Sequence, residues 1–211
     1  MTRRDWLAWH DAYRDPDSAL SHRLRIVRRR IAEWLDERPE DELRVVSACA
    51  GQGHDLIGAL SSRADARRVR AVLLEYDPRN VALARASAER AGLSGVTVHR
   101  ADAGELSSYA GAVPADLVLM AGVFGNVTDA DLRGTVFALP RLCSPGGTVI
   151  WTRHRDAPDR TPEIRRWFAE AGFAERAFDA PQDARFSVGV HRLTGPVVPL
   201  GGVGRLFSFV R

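Results

Sequence analysis

Residues 43–60 constrain this chain more than any other stretch. Leu43-Arg44-Val45-Val46-Ser47-Ala48 is an apolar run of strand length, and Cys49-Ala50-Gly51-Gln52-Gly53 is a turn of small residues. His54-Asp55-Leu56-Ile57-Gly58-Ala59-Leu60 then opens a helix. An apolar strand that passes through glycines into a helix N-terminus begins a nucleotide-binding βαβ unit. Glycines let the backbone come close to a ligand, and the free N–H groups of the first helical turn favour a polar or anionic one. Glu75 lies 22 residues past Gly53, at the end of the next apolar run. Such folds place a carboxylate there to bind both hydroxyls of a ribose.

The spacing within the turn narrows the ligand. A dinucleotide fingerprint requires a third glycine to seat the helix under a pyrophosphate; counted from Gly51, that place is taken by the bulky Leu56. The stretch instead resembles motif I of the class I S-adenosylmethionine-dependent methyltransferases, in which a strand ends in an acid and enters a Gly-x-Gly-x-Gly-like loop. The matching positions are Ser47, Cys49, Gly51 and Gly53. Ser47 replaces the motif acid and Cys49 the first glycine, and Asp55 stands as a partial substitute for the missing acid. The resemblance covers about residues 40–193, and the order of its pieces is more specific than any one motif.

The resemblance implies a set of cofactor contacts. Ala50, Gly51, Gly53 and Asp55 belong to the motif I turn, and Glu75 becomes the ribose ligand. Tyr76 flanks the adenine, with core packing as its plain alternative. Asp102 accepts from the adenine amino group while the N–H of Ala103 donates to the ring. Gly122-Val123-Phe124-Gly125-Asn126-Val127 resembles motif IV, where the methyl acceptor sits: Gly122 leaves room, Phe124 walls the pocket and Asn126 orients a polar group. The Asp/Asn-Pro-Pro-Tyr signature of enzymes acting on exocyclic base amines is absent, which argues against such a substrate.

Strands are read over 43–48, 69–75, 96–100, 115–122 and 148–153, alternating with helices over about 54–60, 79–91 and 129–142. A helix from Thr161, capped by that residue, leads to an antiparallel pair over 173–178 and 186–193. The alternation predicts an α/β fold: a Rossmann-like, doubly wound seven-stranded sheet of order 3-2-1-4-5-7-6 with the last strand antiparallel. It forms a single domain, with an N-terminal helical cap over 1–42, a core over 43–193 and a tail over 194–211 that ends in an edge strand at 205–209. In the cap, Trp6, Trp9, His10 and Tyr13 share one helical face. The rings either pack that helix on the domain or set His10 and Tyr13 over the ligand as a lid. A second helix over 19–35, capped by Asp17 or Ser18, carries Arg23, Arg25, Arg28, Arg29 and Arg30 opposite its apolar stripe. That row reads as a solvated face rather than an RNA-binding strip.

Charge supports the same choice. Thirty arginines and no lysine face 27 acids, a formal charge of +3 that gives no general footprint for nucleic acid. Cys49 and Cys143 make no metal or redox spacing, and no acidic cluster has ligand spacing, so no metal is expected. Without a leader or a long apolar run, the expected location is cytoplasmic and away from membranes.

The expected function is methyl transfer from S-adenosylmethionine to a small-molecule O, N or S nucleophile, directly and in line, leaving S-adenosylhomocysteine. The expected partners are that small molecule and at most a second copy of the chain, with no nucleic acid. A histidine suits an acceptor that must lose a proton; His10 and His154 are the candidates near the carboxyl edge of the sheet, with Tyr13 and Asn126 beside them, while His191 reads as strand packing. The rival readings are transfer or cyclisation of the cofactor's aminoalkyl chain, RNA or protein methylation, nicotinamide-dependent redox chemistry and a non-catalytic binding module.

Overall fold

The computed structural model describes residues 10–201 and 204–210. Its sheet runs β1 (Leu43–Ala48), β2 (Val69–Glu75), β3 (Val96–Arg100), β4 (Ala115–Met120), β5 (Cys143–His154), β6 (Phe173–Asp179) and β7 (Phe186–Leu193). Among the described residues the strand order is β3-β2-β1-β4-β5-β7-β6, with β7 antiparallel to both its neighbours. The expected α/β topology is therefore the observed one. Register aligns the carboxyl ends: Ala48 pairs with Leu74, Glu75 with Arg100, and Met120 with Trp151.

Alternation along the strands sends side chains into two apolar layers. One layer holds Leu43, Val45, Leu73 and Leu119 under α1 (Ala19–Asp36), α2 (Leu56–Leu60) and α3 (Pro78–Arg90). The other holds Val46, Val118, Met120 and Trp151 under α4 (Asp129–Ala138) and α5 (Thr161–Glu170). In this second layer a 3₁₀ turn at Leu106–Tyr109 and the buried Leu206 and Phe207 fill the space beside α4.

Caps follow the side-chain chemistry closely. Ser18 accepts from the Ser21 N–H, Asp77 from Arg79 with Pro78 in the first turn, and Thr128 from Asp131. The cap of α5 differs from expectation: Asp159, not Thr161, supplies the carboxylate, accepting both the N–H and the hydroxyl of Thr161. A carboxylate two residues upstream reaches the first free N–H better than the hydroxyl of a residue already inside the helix.

Three further expectations change. His10–Arg14 is a 3₁₀ turn rather than a full helix, and Trp6 and Trp9 lie outside the described residues. Residues 205–209 form no edge strand; two isolated bridges, Glu105 to Arg205 and Val127 to Phe209, hold them across loops instead. The arginine row on α1 is not simply solvated. Arg28 donates twice to the His54 carbonyl, and Arg29 and Arg30 both donate to Asp179 on β6.

His191 is buried on β7, where it accepts the Trp151 indole N–H at 3.1 Å and stacks on Phe168 at 4.2 Å. Burial pushes its pKa down from 6.5 to about 4. The unfolded chain therefore takes up a proton at this residue in a range where the folded chain does not. The resulting stability is complete above pH 6.5 and is lost as pH falls toward 4. Urea unfolding at about pH 7.5 and about pH 5 is expected to show a loss of about 2 kcal/mol on account of His191, absent in His191→Gln.

Candidate functional site

Every parallel strand delivers its carboxyl end to one edge, and the site is assembled from the turns that leave it. The first is the β1 turn. Ala50 extends the ladder by donating to the Leu74 carbonyl, and the chain then reverses through Cys49, Gly51 and Gly53, with φ of 52°, 56° and 72°. These are left-handed values that a glycine adopts freely and a cysteine does not.

Glu75 closes the turn from the side. One carboxylate oxygen accepts the Gly51 N–H at 2.8 Å and the other the Asp77 N–H at 2.7 Å. The side chain is buried, which raises its pKa, while the two N–H bonds oppose that rise. The Cys49 thiol lies near it: burial first, then the charges of Glu75 and Asp102, push this thiol well above its ordinary range. Cys49, Glu75 and Asp102 thus lie close enough for the two carboxylates to act on the thiol, although they come from three different strand ends.

The 3₁₀ turn of His10–Arg14 covers the β1 turn. A Cβ on Gly51 would come within 2.4 Å of the His10 ring, so the imidazole lies directly over that glycine. The His10 and Tyr13 rings lie 5.6 Å apart, and His54 joins them at 5.6 Å from His10 and 4.9 Å from Tyr13. Arg23 of α1 donates to the Tyr13 hydroxyl at 3.2 Å. Burial, then His54 and Arg23, pull the His10 pKa down to about 4, and burial raises that of Tyr13. Asp55 caps α2 by accepting the Leu56 N–H, and burial raises its pKa. His54 and Arg23 were not among the candidates from sequence; the signal for His54 was its place directly after the second glycine.

The other turns complete the edge. Asp102 accepts the Gly104 N–H at 2.8 Å, and the Ala103 carbonyl beside it accepts the Tyr109 hydroxyl. Tyr76 stands 56% exposed at the rim. Gly122 turns the chain out of β4 with φ 77°, its N–H on the Thr152 hydroxyl, and a Cβ there would meet nothing within 4 Å. Asn126 donates its side-chain amide to the Gly122 carbonyl at 2.7 Å and so braces the loop. The buried Arg153 braces it from below by donating to the Phe124 carbonyl. His154, at the end of β5, packs on the same loop: a Cβ on Gly125 would sit 3.0 Å from its ring. Its Nδ1 is 3.4 Å from Asp156, on the side away from Gly125 relative to Nε2.

His10 and Tyr13 therefore gather at the β1 turn, whereas Asn126 and His154 gather at the Gly122–Val127 loop. The left-handed Cys49 also has a measurable consequence. Cys49→Gly is expected to raise the unfolding free energy by about 1 kcal/mol by relieving that conformation. In thermal unfolding this appears as a rise of about 2–4 °C for a chain of this size.

Comparison with known proteins agrees with the fold. Residues 45–147, the span from β1 to the turn within β5, match the family model described as a methyltransferase domain. No curated protein matches the chain in sequence. Among solved structures, magnesium protoporphyrin IX methyltransferase from Synechocystis PCC 6803, with bound S-adenosylmethionine, aligns with a TM-score of 0.67 at 15% identity. That alignment covers 88% of this chain and 89% of the other. The CurJ carbon methyltransferase aligns at 0.67 and 16% identity over 85% of this chain and 56% of its own. An O-methyltransferase family protein from Burkholderia thailandensis aligns at 0.61 and 16% over 83% of this chain and 58% of its own. The chain thus spans little more than half the length of the last two. Residues 45–147 thus match the methyltransferase-domain family, and the chain as a whole shares the fold of these solved methyltransferases.

Proposed function

We propose that the chain transfers the methyl group of S-adenosylmethionine to an O, N or S nucleophile of a small molecule, directly and in line, and releases S-adenosylhomocysteine. The observation that carries this reading is the buried Glu75 carboxylate, held by the Gly51 and Asp77 N–H groups at the mouth of the glycine turn. Two oxygens so fixed retain lone pairs for the two hydroxyls of a ribose. The donor set around it fits an adenosyl ligand. Ala50, Gly51, Gly53 and Asp55 offer the turn and the start of α2, Asp102 and Ala103 an acceptor and a backbone donor for adenine, and Tyr76 a ring at its rim. Gly122 leaves open space where a side chain would stand.

When bound, S-adenosylmethionine supplies a methyl group already activated by its sulfonium charge. The chain's own contribution is to position the acceptor and exclude water, for which effective molarities reach about 10⁵–10⁸ M. Asn126 and Arg153 fix the loop against which the acceptor lies, and Phe124, buried on Trp151, gives that loop a rigid floor. His10 and Tyr13 cover the turn. With its pKa held near 4, His10 is a poor proton acceptor at neutral pH, so the general base falls to His154. With Asp156 3.4 Å from Nδ1, Nε2 is the ring nitrogen on the side of Gly125 and the loop. The solved neighbours include O- and carbon methyltransferases, so the acceptor is read from this chain alone. A small molecule is favoured over RNA because Arg28, Arg29 and Arg30 are committed to His54 and Asp179.

Calorimetric titration with S-adenosylhomocysteine tests the site. Micromolar binding is expected, weakened at least tenfold in Glu75→Ala, or about 1.4 kcal/mol; no binding by the wild-type chain overturns the reading. Once an acceptor is found, His154→Gln is expected to lower kcat about 10²-fold for hydroxyl acceptors while leaving S-adenosylhomocysteine affinity intact. Release of methylthioadenosine in place of S-adenosylhomocysteine would assign the aminoalkyl chemistry instead.

A further inference from the structure

Residues 204–210 lie across two of the turns that build the site. At one end Leu206 donates to the Gly104 carbonyl at 2.7 Å and Leu106 to the Gly204 carbonyl at 2.9 Å. A Cβ on Gly104 would come within 2.3 Å of the Phe207 carbonyl, so the close approach needs glycine there. At the other end Val210 donates to the Asn126 carbonyl and Ser208 to the Asp131 carboxylate, while Thr135 donates its hydroxyl to the Leu206 carbonyl. Leu206 and Phe207 are buried beneath. The strap is thus fixed by backbone bonds on both sides and by its own apolar residues.

Arg205 is the single charged residue between 194 and 210. Its guanidinium lies 2.9 Å from one oxygen of Asp102 and also donates to Glu105. The second Asp102 oxygen accepts the Gly104 N–H. A carboxylate on a half-exposed turn would otherwise rotate among several orientations. Held on both oxygens, it keeps one orientation, and each oxygen still has an unused lone pair. The other terminal nitrogen of the guanidinium is tied to the strap through the Phe207 carbonyl, 3.0 Å away. The cation that fixes Asp102 is therefore itself fixed by buried structure.

We propose that Arg205 is a positioning residue for the nucleoside end of the site: it holds Asp102 in the orientation that accepts the exocyclic amino group of adenine. This rests on the reading of the cleft as an adenosyl site. It adds a segment far outside motif I to the groups that decide which base is bound.

The test compares S-adenosylhomocysteine with S-inosylhomocysteine, in which a carbonyl oxygen replaces that amino group. Binding of both is measured by calorimetry to the wild type, Arg205→Met, Arg205→Lys and Asp102→Ala. Arg205→Met is expected to lose about five- to tenfold in affinity for S-adenosylhomocysteine and less than about twofold for S-inosylhomocysteine. Arg205→Lys, which keeps the charge and one bond, recovers part of the loss, and Asp102→Ala shows the same selective pattern. Equal weakening of both ligands in Arg205→Met would make the strap merely structural and overturn the proposal, as would unchanged affinity for S-adenosylhomocysteine. Failure of the wild type to bind either ligand removes the adenosyl reading itself and this proposal with it. Wild-type binding with an unselective Arg205→Met removes only the proposal.

Discussion

A buried carboxylate binds the first two strand ends of this chain into one object. Glu75 accepts the Gly51 N–H from the β1 turn and the Asp77 N–H from the start of α3. Both donors would otherwise be free amides at the edge of a parallel sheet, and an ionised acceptor makes such bonds stronger than neutral ones. Burial raises the cost of that charge, so the arrangement holds only while both N–H groups stay aimed at it. The left-handed path of the turn is what aims the first of them. Everything placed above the turn, including the His10 ring over Gly51, depends on this alignment.

Two outlying segments are fastened to that centre by arginines. On one face, α1 is held through Arg28 on the His54 carbonyl and through Arg29 and Arg30 on Asp179. On the other, Arg205 joins the strap to Asp102 and Glu105. The guanidinium suits these tasks because it is always charged and offers several donors in a fixed plane, so one side chain can satisfy a carboxylate and a carbonyl together. In a chain without lysine, much of the formal basicity is spent on internal clamps. A count of arginines therefore says little about binding to polyanions here.

The second apolar layer gives the Gly122–Val127 loop its rigidity. Phe124 is fully buried against Trp151, which stacks on Phe168 and donates to His191. Arg153 adds a bond to the Phe124 carbonyl. A loop supported in this way can present Gly122 and Asn126 without rearranging, and His154 approaches it because Gly125 has no side chain. Burial separates the histidines: His10 and His191 lie in surroundings that lower their pKa to about 4, whereas the His154 side chain is 43% exposed beside Asp156.

Periodicity and turn chemistry are local properties, and they determined the strands, the helices and their order in the sheet. Apolar runs of strand length, glycines after β1, the Asp77-Pro78 start of α3 and the acid 22 residues past Gly53 can all be read along the chain. The adjacency of Gly51 and Glu75 follows as well, because parallel pairing of consecutive strands brings their ends together. Contacts between distant segments could not be read that way. His54 beside His10 and Tyr13, Arg29 and Arg30 on Asp179 about 150 positions away, and Arg205 on Asp102 all depend on where the chain returns after leaving the sheet. The same holds for the cap of α5, where two acceptors competed and reach decided between them. Pattern in a sequence specifies which face of an element is buried, but the partner of a charged side chain is chosen by three-dimensional proximity, and only the packed structure supplies that.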